Sequence, residues 1–415
     1  MSAVAVTGMG VVAPTGLGLD AYWAATLRGD DGTRRIRAFD PSRYPTRRAG
    51  EVAGFEAGDH LPGRLVPQTD RMTQFALAAA DWAIADAGVD LDSVPPLERG
   101  VITASASGGF GFGQRELQHL WGESPKKVSA YMSFAWFYAV NTGQISIRHG
   151  LSGPTGVFVS EQAGGLEAVA HARRQVRAGT RVMLTGGMDS SLCPYGLAAQ
   201  LAGGRLSPDD AYLPFDSRAT GHLPGEGGAI LVLEGAERAR ESGRRSYGEI
   251  AGFGSTFDPR PGSGRPPTLR RAIEQALADA GTEPDEIAVV LAEDAGVPDQ
   301  DAAEAAALAE FFGVRGVPVT VPKTATGRLY SGAGSLDVVT ALLALRDGLA
   351  PPTVNVTQVP DAYGLDLVVG RPRPVSGTAA LVLARGFNGF NSAMVVRAPG
   401  GAGAPVRLPV DEVAA

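Results

Sequence analysis

The sequence of 415 residues contains a single cysteine, Cys193, and only five histidines. One cysteine cannot form an intramolecular disulfide, and it excludes a zinc cluster built from cysteines. The histidines are not spaced as metal ligands on a helix, and none lies in an HExxH motif. The sequence therefore predicts a protein of a reducing compartment, without a metal centre.

Positive charge is scarce as well. The chain has 37 lysines and arginines against 44 aspartates and glutamates, a net charge of −7, and no dense basic block. Neither nucleic acid nor an anionic membrane is therefore expected as a partner. No stretch reaches the roughly 18 continuous apolar residues of a membrane span, and the apolar N-terminus lacks the basic region of a signal peptide. These absences predict a cytoplasmic protein.

The remaining composition is that of a globular α/β protein, with 44% hydrophobic and 20% charged residues. Its 56 glycines and 29 prolines are spread over many turns, which favours many short connections. Runs rich in β-formers alternate with helical patterns, which predicts helices covering mixed sheets. The expected strands are 3–12, 100–104, 157–160, 182–185, 229–233, 319–321 and 378–383, and the expected helices are 72–87, 163–178, 301–312 and 336–346.

One segment of the chain has an echo. The sequence AIADAG at 83–88 returns as ALADAG at 276–281. Each copy closes a predicted helix and is followed by an acidic loop and a β-rich run, at 100–104 and 288–292. Alanine-rich helices often look alike, but the same order of helix, stop, loop and strand favours an internal duplication. Two similar α/β halves are therefore expected.

The stretch VFVSEQAGGLEA at 157–168 is the most informative for function, because a predicted strand runs directly into a predicted helix. Such a turn presents one side chain, Gln162, at a helix N-terminus, where negative charge is stabilised. A thiolate there would be activated, but a glutamine amide cannot ionise or attack a thioester. From the residues alone, Gln162 either occupies a nucleophile's position or simply caps the turn.

Four motifs together resemble the β-ketoacyl synthases of the thiolase superfamily. They are SEQAGG at 160–165, PFD at 214–216 with GEGG at 225–228, PKTATG at 322–327 and GFNGFNS at 386–392. More specifically, they are similar to chain length factors, the ketosynthase-like β subunits of bacterial type II aromatic polyketide synthases. The resemblance runs from about Val4 to Val396. It implies a thiolase-like αβαβα fold of two duplicated halves, residues 1–250 and 251–397, followed by a peripheral tail at 398–415.

The departures from an active ketosynthase indicate the role. That family uses a cysteine nucleophile and two histidines; the matching positions here hold Gln162, Glu293 and Arg328, whereas the family's lysine is retained as Lys323. The resemblance therefore implies no catalytic residue of this chain's own. Glu293 and Arg328 are expected to form an ion pair in an inactive site. The alternative is that Arg328 serves as a hydrogen-bond donor to a substrate.

The resemblance also carries four residues over to the end of a polyketide tunnel: Phe110, Gly113, Leu117 and Phe134. The small side chains at positions 113 and 117 would leave room for a longer product. The competing interpretation is that aromatic residues at such spacings are ordinary core or interface residues, and this is favoured for Trp136 and Phe137.

The function implied is that of a non-condensing partner of a separate, Cys-bearing ketosynthase α subunit, which extends malonyl units carried on an acyl carrier protein. No metal or organic cofactor is expected, since the phosphopantetheine arm belongs to the carrier protein. One alternative is a malonyl-carrier decarboxylase that supplies the primer. Another is a ketosynthase-like binding protein with no influence on chain length.

Overall fold

A computed structural model describes residues 2–260, 262–293 and 295–399 of the chain. The strands are β1 Val4–Ala13, β2 Gly16–Leu17, β3 Thr33–Arg35, β4 Arg48–Gly50, β5 Arg99–Ala104, β6 Thr155–Phe158, β7 Val182–Asp189, β8 Gly227–Gly235, β9 Gly248–Phe257, β10 Ile287–Leu291, β11 Pro318–Thr320, β12 Leu349–Ala350, β13 Asp366–Leu367, β14 Arg373–Pro374, β15 Ala379–Arg385 and β16 Phe390–Arg397. The helices are α1 Leu19–Arg28, α2 Ala57–His60, α3 Arg71–Ala87, α4 Phe110–Gly122, α5 Met132–Ala135, α6 Val140–His149, α7 Gly164–Arg177, α8 Pro194–Ala202, α9 Ala236–Glu241, α10 Leu269–Ala280, α11 Pro298–Phe312 and α12 Ser331–Asp347.

The main sheet confirms the predicted duplication of the fold. Its strand order is β13-β11-β10-β15-β16-β9-β1-β8-β7-β5-β6. Outward from the central antiparallel pair β1 and β9, each side has two antiparallel pairings and then two parallel ones, and the β9 side adds a third parallel pairing, β11 with β13. The predicted boundary after residue 250 falls inside β9 and stays a prediction. All but the first two residues of the predicted tail lie outside the described residues.

The packing of α3 on β1 and of α10 on β9 explains why the segments at 83–88 and 276–281 are alike. A Cβ on Gly8 or Gly10 would lie within 2.2 Å of a carbonyl oxygen of α3, and one on Gly252 or Gly254 equally close to α10. Each helix therefore lies directly on strand backbone that only glycine can supply.

The aspartate in each repeated segment adds a hydrogen bond between the helix and the strand. Asp86 accepts the backbone N–H of Met9 at 2.9 Å, and Asp279 accepts that of Phe253 at 3.0 Å. The repeated Ala and Asp positions thus perform the same packing in both halves.

The layers place α7 and α12 in the middle of the molecule. Helix α12 is buried at every residue from Ser331 to Leu345, and it packs against α7, β7, β8 and β15. Helices α3 and α10 cover the outer faces of the sheet. This arrangement is the predicted αβαβα layering. In the described part of the chain, no helix combines the length and apolar character that a membrane span requires.

Most expected elements lie within a few residues of the observed ones, with two differences that concern the site. The strand expected at 157–160 is β6 and ends at Phe158, because a short 3-10 turn, Glu161–Ala163, separates it from α7. Helix α4 was not expected at all, since its first turn, FGFG, contains two glycines.

Candidate functional site

The turn between β6 and α7 is strained. Glu161 has a φ of 52°, in the left-handed region that non-glycine residues rarely adopt. The Ser331 hydroxyl donates to the Glu161 carbonyl at 2.8 Å and so helps to hold the turn. A Cβ on Gly165 would lie 2.4 Å from the Ser331 carbonyl oxygen. The AGG sequence after Gln162 therefore lets α7 lie directly against the start of α12.

Gln162 is completely buried in this turn. Within the described part of the chain, neither its amide oxygen nor its amide nitrogen has a hydrogen-bond partner. The interpretation that Gln162 caps the turn is therefore wrong, since a cap must accept a backbone N–H. An unpaired buried amide is costly, so this residue is not explained by stability.

The two positions expected to replace histidines lie together. The Arg328 Nη1 atom is 2.6 Å from Glu293 Oε1, and each side chain is 1% exposed. Arg328 Nη2 also donates to the Arg385 carbonyl at 2.9 Å and lies 3.9 Å from Glu161 Oε2. The pair therefore stands beside the strained turn.

Burial and the attraction between opposite charges shift the pKa values of the pair in opposite directions. Burial raises the pKa of Glu293 to about 7, against the opposing attraction of Arg328 and Lys323. Burial also disfavours the charge on Arg328, yet Glu293 and Glu161 outweigh it and hold the pKa of Arg328 above its usual value. An arginine in this state cannot give up a proton, so Arg328 cannot replace a histidine as a general acid or base.

Lys323 fixes the segment that carries Glu293. Its ammonium group donates to the Ala292 carbonyl at 2.8 Å and makes an ion pair with Asp337 in α12, and both side chains are almost fully buried. Burial raises the pKa of Asp337, while the charge of Lys323 opposes that rise. Lys323 thus connects the central helix to the residue before Glu293.

His222 lies close enough to the pair for the charge of Arg328 to act on it. It is buried, and its ring faces Tyr212 and Tyr330 at centroid distances of 6.2 and 6.4 Å. Burial, with the nearby charges of Arg328 and Arg205, lowers the pKa of His222 well below its usual value. It therefore stays neutral and does not replace the absent catalytic histidines as a proton donor.

Glu161, Arg205 and Phe387 hold the loop at 386–390 against the β6–α7 turn, and we call these three residues the latch. The sequence did not predict it. The Phe387 N–H donates to the Glu161 carboxylate, and Arg205 pairs with the same carboxylate at 2.8 Å. The Arg205 guanidinium also lies over the Phe387 ring, 4.5 Å from its centroid. The only sequence signal was the GFNGFNS motif, which gives no indication of its partners.

The four predicted tunnel residues form a second region, on α4 and α5. The Phe110 ring packs against Tyr195 with a centroid distance of 5.0 Å, and that of Phe134 against Tyr131 at 5.8 Å. A Cβ on Gly113 would lie 3.5 Å from the Trp136 Cβ, in ordinary contact. Leu117 is partly exposed. Gly113 thus faces α5 and the residue after it, and the tunnel role of the four residues stays a prediction.

Replacing Gln162 by methionine is expected to stabilise the chain. Methionine has a similar volume and flexibility but no polar group to leave unpaired, and each unmade buried hydrogen bond costs about 1–3 kcal/mol. Thermal unfolding of the variant should therefore occur at a higher temperature. Gln275→Met, at an exposed position of α10, is the matched control and should change little. A less stable Gln162→Met protein would show that the amide has a partner.

Two family models match the chain, the Beta-ketoacyl synthase N-terminal domain over residues 1–239 and the C-terminal domain over residues 247–357. The chain is 60% identical over 399 residues to the Actinorhodin polyketide putative beta-ketoacyl synthase 2 of Streptomyces coelicolor, covering 95% of this chain and 98% of that one. It is 59% identical to the Tetracenomycin polyketide synthase ketoacyl synthase beta subunit of Streptomyces glaucescens, over 96% of this chain and 98% of that one.

Solved structures agree with these matches. The ishigamide ketosynthase/chain length factor superposes with a TM-score of 0.87 at 28% identity, over 96% of this chain and 100% of that one. A type II polyketide synthase acyl-carrier protein in complex with its ketosynthase bound to the hexaketide gives a TM-score of 0.85 at 26% identity, over 96% and 99%.

Proposed function

The chain belongs to the β-ketoacyl synthase family, and from this premise we propose that it is the chain length factor of a type II polyketide synthase, a subunit that does not itself condense. The observation that carries the proposal is the site at the β6–α7 turn. Gln162 matches the nucleophile's position in the family's motifs, and the two residues matched to the histidines, Glu293 and Arg328, form a buried ion pair. A glutamine in place of the cysteine cannot form an acyl thioester, so this chain cannot hold the growing polyketide itself.

The latch supports the same conclusion. Glu161, Arg205 and Phe387 hold the loop at 386–390 against the turn that carries Gln162, and we propose that this loop blocks the approach of an acyl chain. The growing polyketide would therefore be held on the cysteine of a separate ketosynthase α subunit. That partner would perform the decarboxylative Claisen condensation of malonyl units delivered by an acyl carrier protein. We propose no metal or organic cofactor for this chain.

The free edge of the main sheet is the surface that we propose for the ketosynthase partner. Strand β6 pairs with β5 on one side and, among the strands that the structure describes, is the last of the sheet. Pro154 and Phe158 direct their carbonyl groups to β5, because they accept from Val101 and Ser105. The alternating backbone groups of Val157 consequently point to the open edge. The edge is short, four residues, but its unpaired backbone groups can still bond to a strand of another chain.

We propose that this surface continues into an aromatic patch formed by five exposed residues, Trp121, Tyr131, Trp136, Phe137 and Tyr138. The patch leads into α6, whose Thr142 hydroxyl donates to the Gly156 carbonyl in β6 at 3.1 Å. Aromatic residues are enriched in the cores of protein interfaces, and large exposed apolar patches mark such sites. The tunnel residues of α4 and α5 would thus lie next to the partner.

Val157→Pro tests this interface. Proline removes the outward N–H of residue 157 and leaves the carbonyls bonded to β5 in place, so assembly with the ketosynthase should be lost. Val157→Ala, which keeps the N–H, is the matched control and should still assemble. Size-exclusion chromatography of chains produced together with the ketosynthase measures the outcome. An intact complex with Val157→Pro would remove β6 from the interface.

Decarboxylation of malonyl groups to make a primer is the second candidate function. The observation in its favour is the unpaired amide of Gln162, which could donate to a thioester oxygen where an enolate develops. The buried Glu293 opposes it by adding negative charge at the same site. Acetyl groups formed from malonyl carrier protein by this chain alone, and abolished by Gln162→Met, would establish that activity.

A further inference from the structure

Helix α4, which carries three of the four proposed tunnel residues, has no cap of its own. Its N-cap residue is Gly109, which has no side chain to accept a backbone N–H, and its first turn contains no acidic residue. Helix N-termini need an acceptor for their free N–H groups and favour a negative charge. A helix that begins with FGFG therefore requires a hydrogen-bond acceptor from another part of the chain.

Asp70, the N-cap residue of α3, supplies that acceptor. Its Oδ1 accepts the Met72 N–H at 3.0 Å, which caps α3, and its Oδ2 accepts the Phe112 N–H at 2.7 Å. Phe112 is the third residue of α4, the position that an N-cap side chain normally satisfies. One buried carboxylate thus bridges the N-termini of a core helix and of the tunnel helix.

Close packing holds the same helix end from the other side. A Cβ on Gly109 would lie 2.2 Å from the Ala135 carbonyl oxygen and 2.8 Å from the Asp70 Cβ. The Gly109 N–H also donates to the Trp136 carbonyl at 3.1 Å. The first turn of α4 is therefore held between Asp70 and the end of α5, with Phe110 and Gly113 on either side of the anchored residue.

We infer that Asp70 is a positioning residue for chain length: it holds the start of α4 so that Phe110 and Gly113 form a fixed wall. The inference rests on the proposed function, because it requires these residues to face the polyketide. Burial of Asp70 raises its pKa to about 6, so the carboxylate is charged at neutral pH and the two helix N-termini are its compensation. Asp70 touches no reacting atom.

Asp70→Ser keeps the hydrogen bond that caps α3 and removes the one that anchors α4. A serine hydroxyl still caps α3 but is too short to reach Phe112, so only the anchor of α4 is lost. In the complete complex with the ketosynthase and carrier protein, the fraction of products longer by one malonyl unit should rise about tenfold, the equivalent of one hydrogen bond to a charged group. Amide hydrogen exchange of residues 110–113 should become faster, while total malonyl consumption stays close to that of the unmodified complex.

Asp90→Ser is the matched control, because Asp90 is an exposed cap that accepts the Asp92 N–H at 3.1 Å, away from α4. It should change neither product length nor exchange in α4. If Asp70→Ser does not fold, Asp70→Asn, which keeps only one acceptor oxygen, replaces it. Faster exchange in α4 with an unchanged product mixture would overturn the inference.

Gly113→Thr with Leu117→Phe distinguishes failure of the inference from failure of the proposed function. If that variant changes product length and the Asp70 variants do not, only the inference on Asp70 is wrong. If neither changes product length, the tunnel itself is wrong and the inference fails with it.

Discussion

Gly113→Thr combined with Leu117→Phe is expected to shorten the polyketide by one or more malonyl units while condensation on the partner continues. The first added atom at position 113 would fit, 3.5 Å from the Trp136 Cβ and 4.0 Å from the Met132 Cε. The branched atoms beyond it, and the ring at position 117, would occupy space left by the small residues. Overpacking typically costs about 1–3 kcal/mol, which corresponds to about a 5- to 150-fold change in partitioning between extension and release.

Chromatography and mass spectrometry of products from the reconstituted complex measure this effect. Gly122→Thr with Leu97→Phe repeats the same substitutions at exposed positions and serves as the matched control. The unmodified chain should give products at the longer end of the aromatic range. An unchanged length at undiminished turnover would remove Gly113 and Leu117 from the tunnel wall.

Arg328→Met is expected to destabilise the protein by about 3–5 kcal/mol, because it leaves the Glu293 carboxylate buried without its ion-pair partner. Replacing both partners, as Glu293→Leu with Arg328→Met, should be neutral or stabilising, since neither member of the pair is then left as an unpaired buried charge. Arg240→Met is the control, because Arg240 pairs with Glu237 at the exposed surface, where such pairs contribute at most about 1 kcal/mol.

The destabilisation caused by Arg328→Met should also depend on pH. The pKa of Glu293 is raised in the folded protein, to about 7, so its contribution to stability is fully present below its unfolded pKa and is lost as pH rises through about 7. Removing Arg328 takes away the attraction that lowers this pKa, so the variant should be least stable at alkaline pH. Thermal unfolding at pH 5.5 and pH 8 checks this, and an equal loss at both would show that Glu293 has no charge to compensate.

Much of the fold was predictable because the strands are short buried runs and the duplicated helix ends repeat the same Gly, Ala and Asp contacts. Helix α4 was not predictable, since its cap comes from Asp70, forty residues earlier, and its glycines argue against a helix. The motifs predicted that Glu293 and Arg328 pair, and the structure brings them together, while their match to catalytic positions stays a prediction. The latch was not predicted, because Glu161, Arg205 and Phe387 are distant in sequence and each looks ordinary alone. The capping role given to Gln162 was wrong because no backbone N–H of the described residues reaches it.

The most direct test of the account keeps one ketosynthase and one carrier protein constant and exchanges only this chain for a β subunit of different product length. Mass spectrometry then counts the malonyl units in the product of each complex. We predict that the number follows the β subunit, with acyl groups found on the ketosynthase cysteine and none on this chain. A product length that stays with the ketosynthase whichever β subunit is present would contradict the assignment of this chain as the chain length factor.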